Sequence, residues 1–330
     1  GPPPLPASDC HPRFSAGGRV LFYRGMVEPG YEADHTRLKA VEIATGDTRT
    51  YLEDCPRSPH AFEIEADGGS VIFVAQDRGR QSLYRLHLPD GTVRQLTLGT
   101  FNGPLCLLPE EGRVLVGRQS ATEPQDLYLL VVGEGIEPFT AAGPVPDDLP
   151  ADARAVATRV TFHGDVVGDV TMHPAREFWY EGAEGTPIHG FVVVPPGFDE
   201  TRKYTTILLI HGGPQGALGD DIHYRWSVQM FAAQGAVVAF CNPRGSTGYG
   251  HELKEQISGD WGGRCYEDLM RCVDHLPQAF PFIDGERIGA AGASFGGIMV
   301  NWIAGHTDRL KALVCHDGIF LAEAMAYTTE

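Results

Sequence analysis

The chain has 330 residues, 42% of them hydrophobic and 21% charged, with a formal net charge of −17. That length suggests about two domains, and the composition is that of a globular protein. The excess of acid argues against nucleic acid and anionic membranes as partners, because both select clustered Lys and Arg, and no run of about 18 apolar residues is present to span a bilayer. The seven cysteines, Cys10, Cys55, Cys106, Cys241, Cys265, Cys272 and Cys315, are odd in number and lack C-x-x-C spacing. Neither a disulfide framework nor a metal site is indicated, and buried free thiols are expected. The opening GPPPLPASDC has no initiator Met and no signal-like apolar region, which reads as a chain that begins partway into a longer protein. Compartment and oligomeric state are not legible.

In chain order, the first 140 residues are short strands with recurring punctuation. HPRFSAGGRVLFYR, FEIEADGGSVIFVAQ and LCLLPEEGRVLVGRQ each place a strand, a tight glycine turn and a second β-branched strand in succession. The turn glycines Gly18, Gly69 and Gly112 lie 51 and 43 residues apart, and each unit offers a further strand, with Tyr84 and Tyr128 in matching positions 44 apart. A period of about 40–50 residues with four strands per unit is the signature of a β-propeller, and a β-sandwich is the alternative. Three blades do not close a ring of about four or more, so the expectation is a partial propeller over residues 1–143, completed elsewhere or preceded by further blades.

Residues 144–175, opening with PVPDDLPADARAV, are expected to be a linker or crossing segment. From residue 176 the grammar changes. FWYEG and IHGFVVVPP suggest an antiparallel hairpin, and TTILLIHGG is a continuous apolar strand of the kind buried on both faces. Helix-like HYRWSVQMFAAQG, strand AVVAFCNPRG, helix YEDLMRCVDHLPQ, strand IGAAGAS, helix FGGIMVNWIAGH and strand LKALVCHDG follow. Strands alternating with helices indicate a doubly wound, mostly parallel sheet over residues 176–330.

Within it, GASFGG (292–297) poses the chemical question. With 41 glycines in the chain, Gly-x-Ser-x-Gly arises readily by chance, so context decides. Ser294 falls where an apolar strand turns into a helix, the setting of a nucleophile elbow. There the serine occupies a strained turn, Gly292 and Gly296 remove colliding side chains, and the helix N-terminus offers free N–H groups to a developing oxyanion. HGGP (211–214) ends an earlier strand, where a glycine-rich loop supplies a second donor. Read this way, the Phe295 N–H is one donor and the HGGP loop supplies the other, with His211, Gly212, Gly292 and Gly296 as support. His211 precedes the serine, whereas the triad of this fold runs Ser, acid, His, so it is expected to shape the loop rather than act as base. His316 and Asp317 follow the first strand after the nucleophile helix and are expected to be structural or pocket-forming. In NPRG, Arg244 is expected to pair with an unidentified carboxylate, with Asp260 as further scaffold.

HGGPQG, NPRGSTGYG, GDWGG and GASFGGIMVNWIAGH together resemble the prolyl oligopeptidase family of serine peptidases, and GYEAD, CPRSPHAF, GRQSATEPQDLYLL, KALVCHDGIF and AYTTE are most similar to its dipeptidyl peptidase five branch. The resemblance implies an α/β-hydrolase capped by a β-propeller, with the Gly213 and Phe295 N–H groups as the oxyanion donors. It further implies release of dipeptides from free N-termini of short peptides, with no cofactor or metal. By position, Phe320, Met325 and Tyr327 fall where relatives build a side-chain pocket, or are ordinary core. Glu32 and Asp34 in GYEAD are candidates for holding the substrate ammonium, or simply form a solvated acidic loop. The alternatives are an acylaminoacyl-peptidase acting on blocked N-termini, a carboxylesterase, and a non-catalytic binding module.

The resemblance also places the catalytic acid and histidine downstream of residue 330 and the first blades upstream of residue 1. The 330-residue chain alone is therefore expected to turn over peptides little or not at all, and hydrolysis above a Ser294→Ala control would overturn that expectation.

Overall fold

One backbone closure, used three times, organises the first half of the chain. The N–H groups of Ser15, Glu65 and Leu108 bond the carbonyls of Val20, Ser70 and Arg113 at 2.9, 2.9 and 3.0 Å. Each bond spans the same five-residue offset and folds the first strand of a unit onto its second. Gly18 and Gly112 adopt left-handed φ values of +67° and +70°, which glycine reaches without a Cβ penalty. In the middle unit that role falls to Gly68 (φ +70°), not Gly69, whose N–H instead bonds the Asp67 side chain at 2.9 Å.

The computed structural model describes residues 8–28, 30–108, 112–135 and 156–328. Strands β1 (Asp9–Phe14), β2 (Val20–Gly25), β3 (Arg37–Glu42) and β4 (Thr48–Tyr51) form one antiparallel four-stranded sheet. A second sheet holds β5 (Pro59–Ile64), β6 (Ser70–Asp77), β7 (Arg80–His87) and β8 (Val93–Gln95). It continues with β9 (Phe101–Leu107), β10 (Arg113–Gln119), β11 (Asp126–Val131) and β12 (Val156–Arg159). Within each group of four the pairing is antiparallel, and the groups meet through a single parallel pair, Gln81↔Phe101. Phe73↔Tyr84 and Val116↔Tyr128 occupy the same place in the two ladders, as the 44-residue spacing implies. The fourth strand of the last group, β12, lies inside the stretch expected to be a linker. Residues 136–155, including most of PVPDDLPADARAV, lie outside the described residues.

Strand β6 shows why these strands stack. Its alternate residues point to opposite faces. Val71, Phe73 and Ala75 join a core with Phe22, Leu38 and Tyr84, while Ile72 and Val74 join Leu83, Val114, Val116 and Leu130. Both faces are buried, so the sequence reads as a continuous apolar run, SVIFVA, rather than an alternating one.

The second half is a six-stranded sheet of β13 (Arg176–Glu181), β14 (Pro187–Val193), β15 (Tyr204–Ile210), β16 (Val237–Asn242), β17 (Ile283–Ala293) and β18 (Leu313–His316), in the order β13-β14-β16-β15-β17-β18. The hairpin β13–β14 and the pair β14–β16 are antiparallel, and β16, β15, β17 and β18 run parallel. Helices α1 (Val228–Ala232), α2 (His251–Glu255), α3 (Arg264–Ala279), α4 (Phe295–His306) and α5 (Ala322–Thr328) alternate with the strands from β15 onward. Helix α1 is shorter than HYRWSVQMFAAQG suggests. The His223 ring accepts the Arg225 and Trp226 N–H groups at 3.2 and 3.0 Å, and this local turn competes with helix until Ser227 caps α1. Among the described residues no helix is long and apolar enough to cross a membrane. The chain divides into two compact units, one reaching Val167 and including Gly248–His251, the other holding Gly168–Thr247 and Glu252 onward.

A buried carboxylate closes the second four-stranded group. Asp77, 5% exposed, accepts from Arg57 (2.7 Å), Arg78 (3.0 and 3.2 Å), Tyr84 (3.2 Å) and Gln95 (3.1 Å). Burial alone would raise its pKa, but the Arg57 and Arg78 guanidiniums outweigh it and hold the carboxyl below the ordinary range. A depressed folded-state pKa adds stability that is complete above the unfolded value of about 3.9 and is lost as pH falls through the folded one. Asp77→Asn is therefore expected to cost about 3–5 kcal/mol at neutral pH. In urea titrations its stability should also fall less than that of the parent between about pH 5 and pH 3.

Candidate active site

Three strands end side by side. In the sheet β15 lies between β16 and β17, so the loops after Ile210, Asn242 and Ala293 share one edge. The carboxyl ends of parallel strands are where open α/β sheets place their ligands. HGGPQG, NPRGS and GASFGG form that edge.

Ser294 sits at the sharpest point, with φ 55° and ψ −119°. A non-glycine residue held there costs on the order of 1–3 kcal/mol and persists only where its surroundings enforce it. The glycines do so by letting main chain approach main chain. A Cβ on Gly292 would strike the Gly296 carbonyl, and one on Gly296 would strike the Ile210 carbonyl. A Cβ on Gly297 would lie 2.7 Å from the Gly318 Cα and 2.9 Å from the His316 carbonyl. The Ser294 N–H donates to that same His316 carbonyl at 3.1 Å, which ties the elbow to the end of β18. Phe295, 1% exposed, begins α4 and receives the Trp261 ring edge-on at 5.3 Å. As the first residue of the helix, its N–H has no intrahelical acceptor.

The HGGP loop reaches this elbow. A Cβ on Gly212 would lie 3.3 Å from the Ser294 Cβ. Gly213 is exposed, has φ +124° and is followed by a cis peptide to Pro214. The His211 Nδ1 contacts the Gly212 carbonyl at 2.7 Å, and Nε2 contacts the Ser246 hydroxyl at 2.9 Å. A carbonyl only accepts, so Nδ1 carries the proton and Nε2 accepts from Ser246. Burial pushes the imidazole pKa below its ordinary value, and the ring is neutral. His211 is thus committed on both nitrogens within the loops, as the chain order of the triad suggests.

The NPRGS loop is bound to the HGGP loop at further points. The Asn242 side-chain amide both accepts from the Leu218 N–H and donates to its carbonyl, each at 2.9 Å. Thr247 N–H donates to the Gly216 carbonyl at 2.9 Å. Pro243 to Ser246 form a tight turn closed by Ser246 N–H to Pro243 C=O at 3.0 Å, with Gly245 at φ +99°. A side chain at Gly245 would press on Pro214 and Ile257, so glycine is required there for conformation and for space.

Beneath this turn lies the partner of Arg244. The guanidinium, 1% exposed, donates to Asp268 Oδ1 (2.5 Å), Gln256 Oε1 (2.8 Å), the Ala183 carbonyl (2.7 Å) and Thr186 Oγ1 (2.7 Å). Asp268, fully buried, also accepts the main-chain N–H groups of Arg244 (3.1 Å) and Ala183 (2.7 Å). A side chain on Gly182 would strike Asp268 Oδ1. Sequence reading missed Asp268, though a signal was present. It falls on the buried stripe of α3 with Cys265, Leu269, Cys272 and Leu276, and an acid on an apolar stripe implies a buried cation opposite it. Asp260 instead holds the start of α3, accepting from the Arg264 N–H and Nε at 3.1 and 3.2 Å.

The remaining candidates fall elsewhere. Phe320, Met325 and Tyr327 are 95%, 40% and 88% exposed, so they are not core in this chain. Asp34 is buried within its own loop, accepting from Val27, Glu28, His35 and Arg37. Burial opposes ionisation there, but those donors outweigh it and lower its pKa. Glu32 is exposed. Cys241, Cys265 and Cys272 are buried free thiols, whereas Cys106 and Cys315 are exposed.

Removing one partner of a buried pair leaves an uncompensated charge. Asp268→Ala is expected to cost about 3–5 kcal/mol in urea unfolding. Asp260→Ala, at a carboxylate about a third exposed, should cost about 1 kcal/mol.

Similarity to known proteins runs along nearly the whole chain. Residues 222–330 match the model of the prolyl oligopeptidase family. The probable dipeptidyl-peptidase 5 of Aspergillus clavatus is 34% identical over 97% of this chain and 42% of its own length. The dipeptidyl-peptidase 5 of Porphyromonas gingivalis is 32% identical over 98% of this chain and 44% of its own. The chain thus spans less than half the length of the curated relatives it matches. A solved acylaminoacyl peptidase in complex with Z-Gly-Gly-Phe-chloromethyl ketone superposes with a TM-score of 0.74 at 24% identity, over 92% of this chain and 43% of that one. An acylaminoacyl peptidase of Pyrococcus horikoshii gives 0.73 at 24%, over 92% and 44%. These likenesses establish the fold as propeller strands followed by an α/β-hydrolase. Residues 222–330 are thus similar to the prolyl oligopeptidase family, and nearly the whole chain is similar to part of dipeptidyl-peptidase 5.

Proposed function

We propose that the protein to which this sequence belongs is a serine peptidase that releases dipeptides from the free N-termini of short peptides through an acyl-enzyme on Ser294. The observation that carries this reading is the strained Ser294 between β17 and α4, with Gly212 packed against it. In the proposed reaction the Ser294 hydroxyl loses its proton to a base and attacks the scissile carbonyl. The oxyanion is held by the Gly213 and Phe295 N–H groups, the amine leaves with the proton returned by the base, and water, giving a proton to the same base, attacks the acyl group, which departs as the Ser294 oxygen regains that proton. An oxyanion donor of this kind is worth about 2.7–4 kcal/mol of transition-state stabilisation. The propeller strands act as a filter that admits short peptides. Phe320, Met325 and Tyr327, displayed on and just before α5, are proposed to meet the substrate side chain.

Glu32 is proposed as the carboxylate that receives the substrate ammonium. Asp34 serves that end indirectly, since its oxygens are engaged in shaping the loop. The second reading, an acylaminoacyl-peptidase, draws its support from the superposed structures, which are acylaminoacyl peptidases.

One pair of substrates separates these readings. The full-length protein is expected to hydrolyse a chromogenic dipeptide with a free amino terminus faster than its acetylated twin, and Ser294→Ala should abolish both rates. Glu32→Gln should erode the preference for the free amine. A preference for the acetylated form would transfer the protein to the second reading, and activity surviving in Ser294→Ala would end both.

A further inference from the structure

We propose that Ser246 is a positioning residue for the reaction, acting through His211 to fix the peptide plane that carries the Gly213 N–H. The proposal rests on Ser294 being the nucleophile and Gly213 an oxyanion donor, and deepens that reading by naming what aims the donor.

The argument follows one proton along a short chain. Ser246 is fully buried, and its own N–H is used by the turn to Pro243. Its hydroxyl lies 2.9 Å from His211 Nε2. A neutral imidazole has one donor and one acceptor nitrogen, and which is which follows from their partners. The Gly212 carbonyl, 2.7 Å from Nδ1, accepts and cannot donate. The proton therefore resides on Nδ1, and the Ser246 O–H completes the arrangement by donating to Nε2. The ring's lowered pKa, from burial, agrees with a neutral imidazole.

The carbonyl that His211 holds is half of a planar unit. Gly212 C=O and Gly213 N–H belong to the same peptide, and in a trans peptide the two point in opposite directions. Fixing the carbonyl fixes the N–H. Both residues are glycines, so no Cβ on either resists rotation of that plane. Gly213 sits at φ +124°, and Gly212 is close enough to Ser294 that a Cβ would be 3.3 Å from the serine Cβ. A flexible peptide beside the nucleophile needs an external clamp to be preorganised, and the Ser246–His211 pair supplies it. Ser246 is itself held, because Arg244 in the same turn is locked to Asp268.

A positioning residue of this kind changes the transition state more than the ground state. Ser246→Ala in the full-length enzyme should lower kcat about 10- to 100-fold with KM unchanged. A peptide boronic acid, which mimics the tetrahedral adduct, should lose affinity by the same factor, while a product dipeptide binds as before. Ser246→Cys, which keeps the volume with a weaker donor, should fall between parent and alanine and supplies the test if the alanine variant fails to fold. Unchanged kcat in folded variants, or losses of boronate and product affinity in equal measure, would overturn the proposal. Ser294→Ala is measured alongside. If it abolishes turnover while Ser246 variants are normal, the positioning role alone fails. If Ser294→Ala is active, the underlying reading fails instead.

Discussion

The sheet edge that carries Ser294 depends on one buried ion pair. Arg244 and Asp268 are both out of water, and a charge in that position is tolerated only if its partners are complete. They are complete here because the pair recruits groups from four places: the 3-10 turn at Ala183, Thr186 before β14, Gln256 after α2, and the main chain of the NPRGS turn itself. Such a pair adds little net stability compared with a well-packed apolar substitute. It does prescribe geometry. With so many directional bonds meeting at two side chains, the turn after β16 has one conformation in which all are made.

From that fixed turn the order spreads to its neighbour. Asn242, Ser246 and Thr247 together give the HGGP loop four hydrogen bonds it does not have to make internally. A loop with three glycines in six residues would otherwise lose much conformational entropy on adopting a single shape. The arrangement moves that cost into the scaffold, where the ion pair and the central strands bear it. Rigid support beneath a permissive loop is what preorganised electrostatic catalysis requires, because donors that must reorient during the reaction stabilise charge poorly.

Much of this was legible in the sequence for identifiable reasons. The propeller units show through because their turns use glycine at a left-handed position, and the strand between two cores shows as SVIFVA. The elbow shows because its glycines are compulsory. What stayed hidden depended on partners far apart in the chain. Arg244 announced a carboxylate, but Asp268, 24 residues on, is one acid among 43 Asp and Glu residues. Ser246 and Asn242 are ordinary residue types whose importance comes only from the loop that folds against them. Gly68 and Gly69 are adjacent and alike in sequence; Gly68 takes the left-handed position, and the Asp67 carboxylate accepts the Gly69 N–H. The length of α1 turned on a histidine ring accepting main-chain bonds, an effect invisible to periodicity.

The glycines of this chain differ in what stands in front of them. At Gly262 an added methyl group would meet the ring of Trp302, and at Gly117 the side chain of Gln125. Those obstacles are side chains, so a second substitution elsewhere can clear the way, and such positions can drift in pairs over evolutionary time. At Gly292, Gly296 and Gly297 the obstacle is backbone, which every residue type shares. No second-site replacement removes a carbonyl oxygen. These three positions are therefore closed to compensated change, and any descendant of this sequence that keeps the elbow's shape keeps the same three glycines, whatever happens to its substrates.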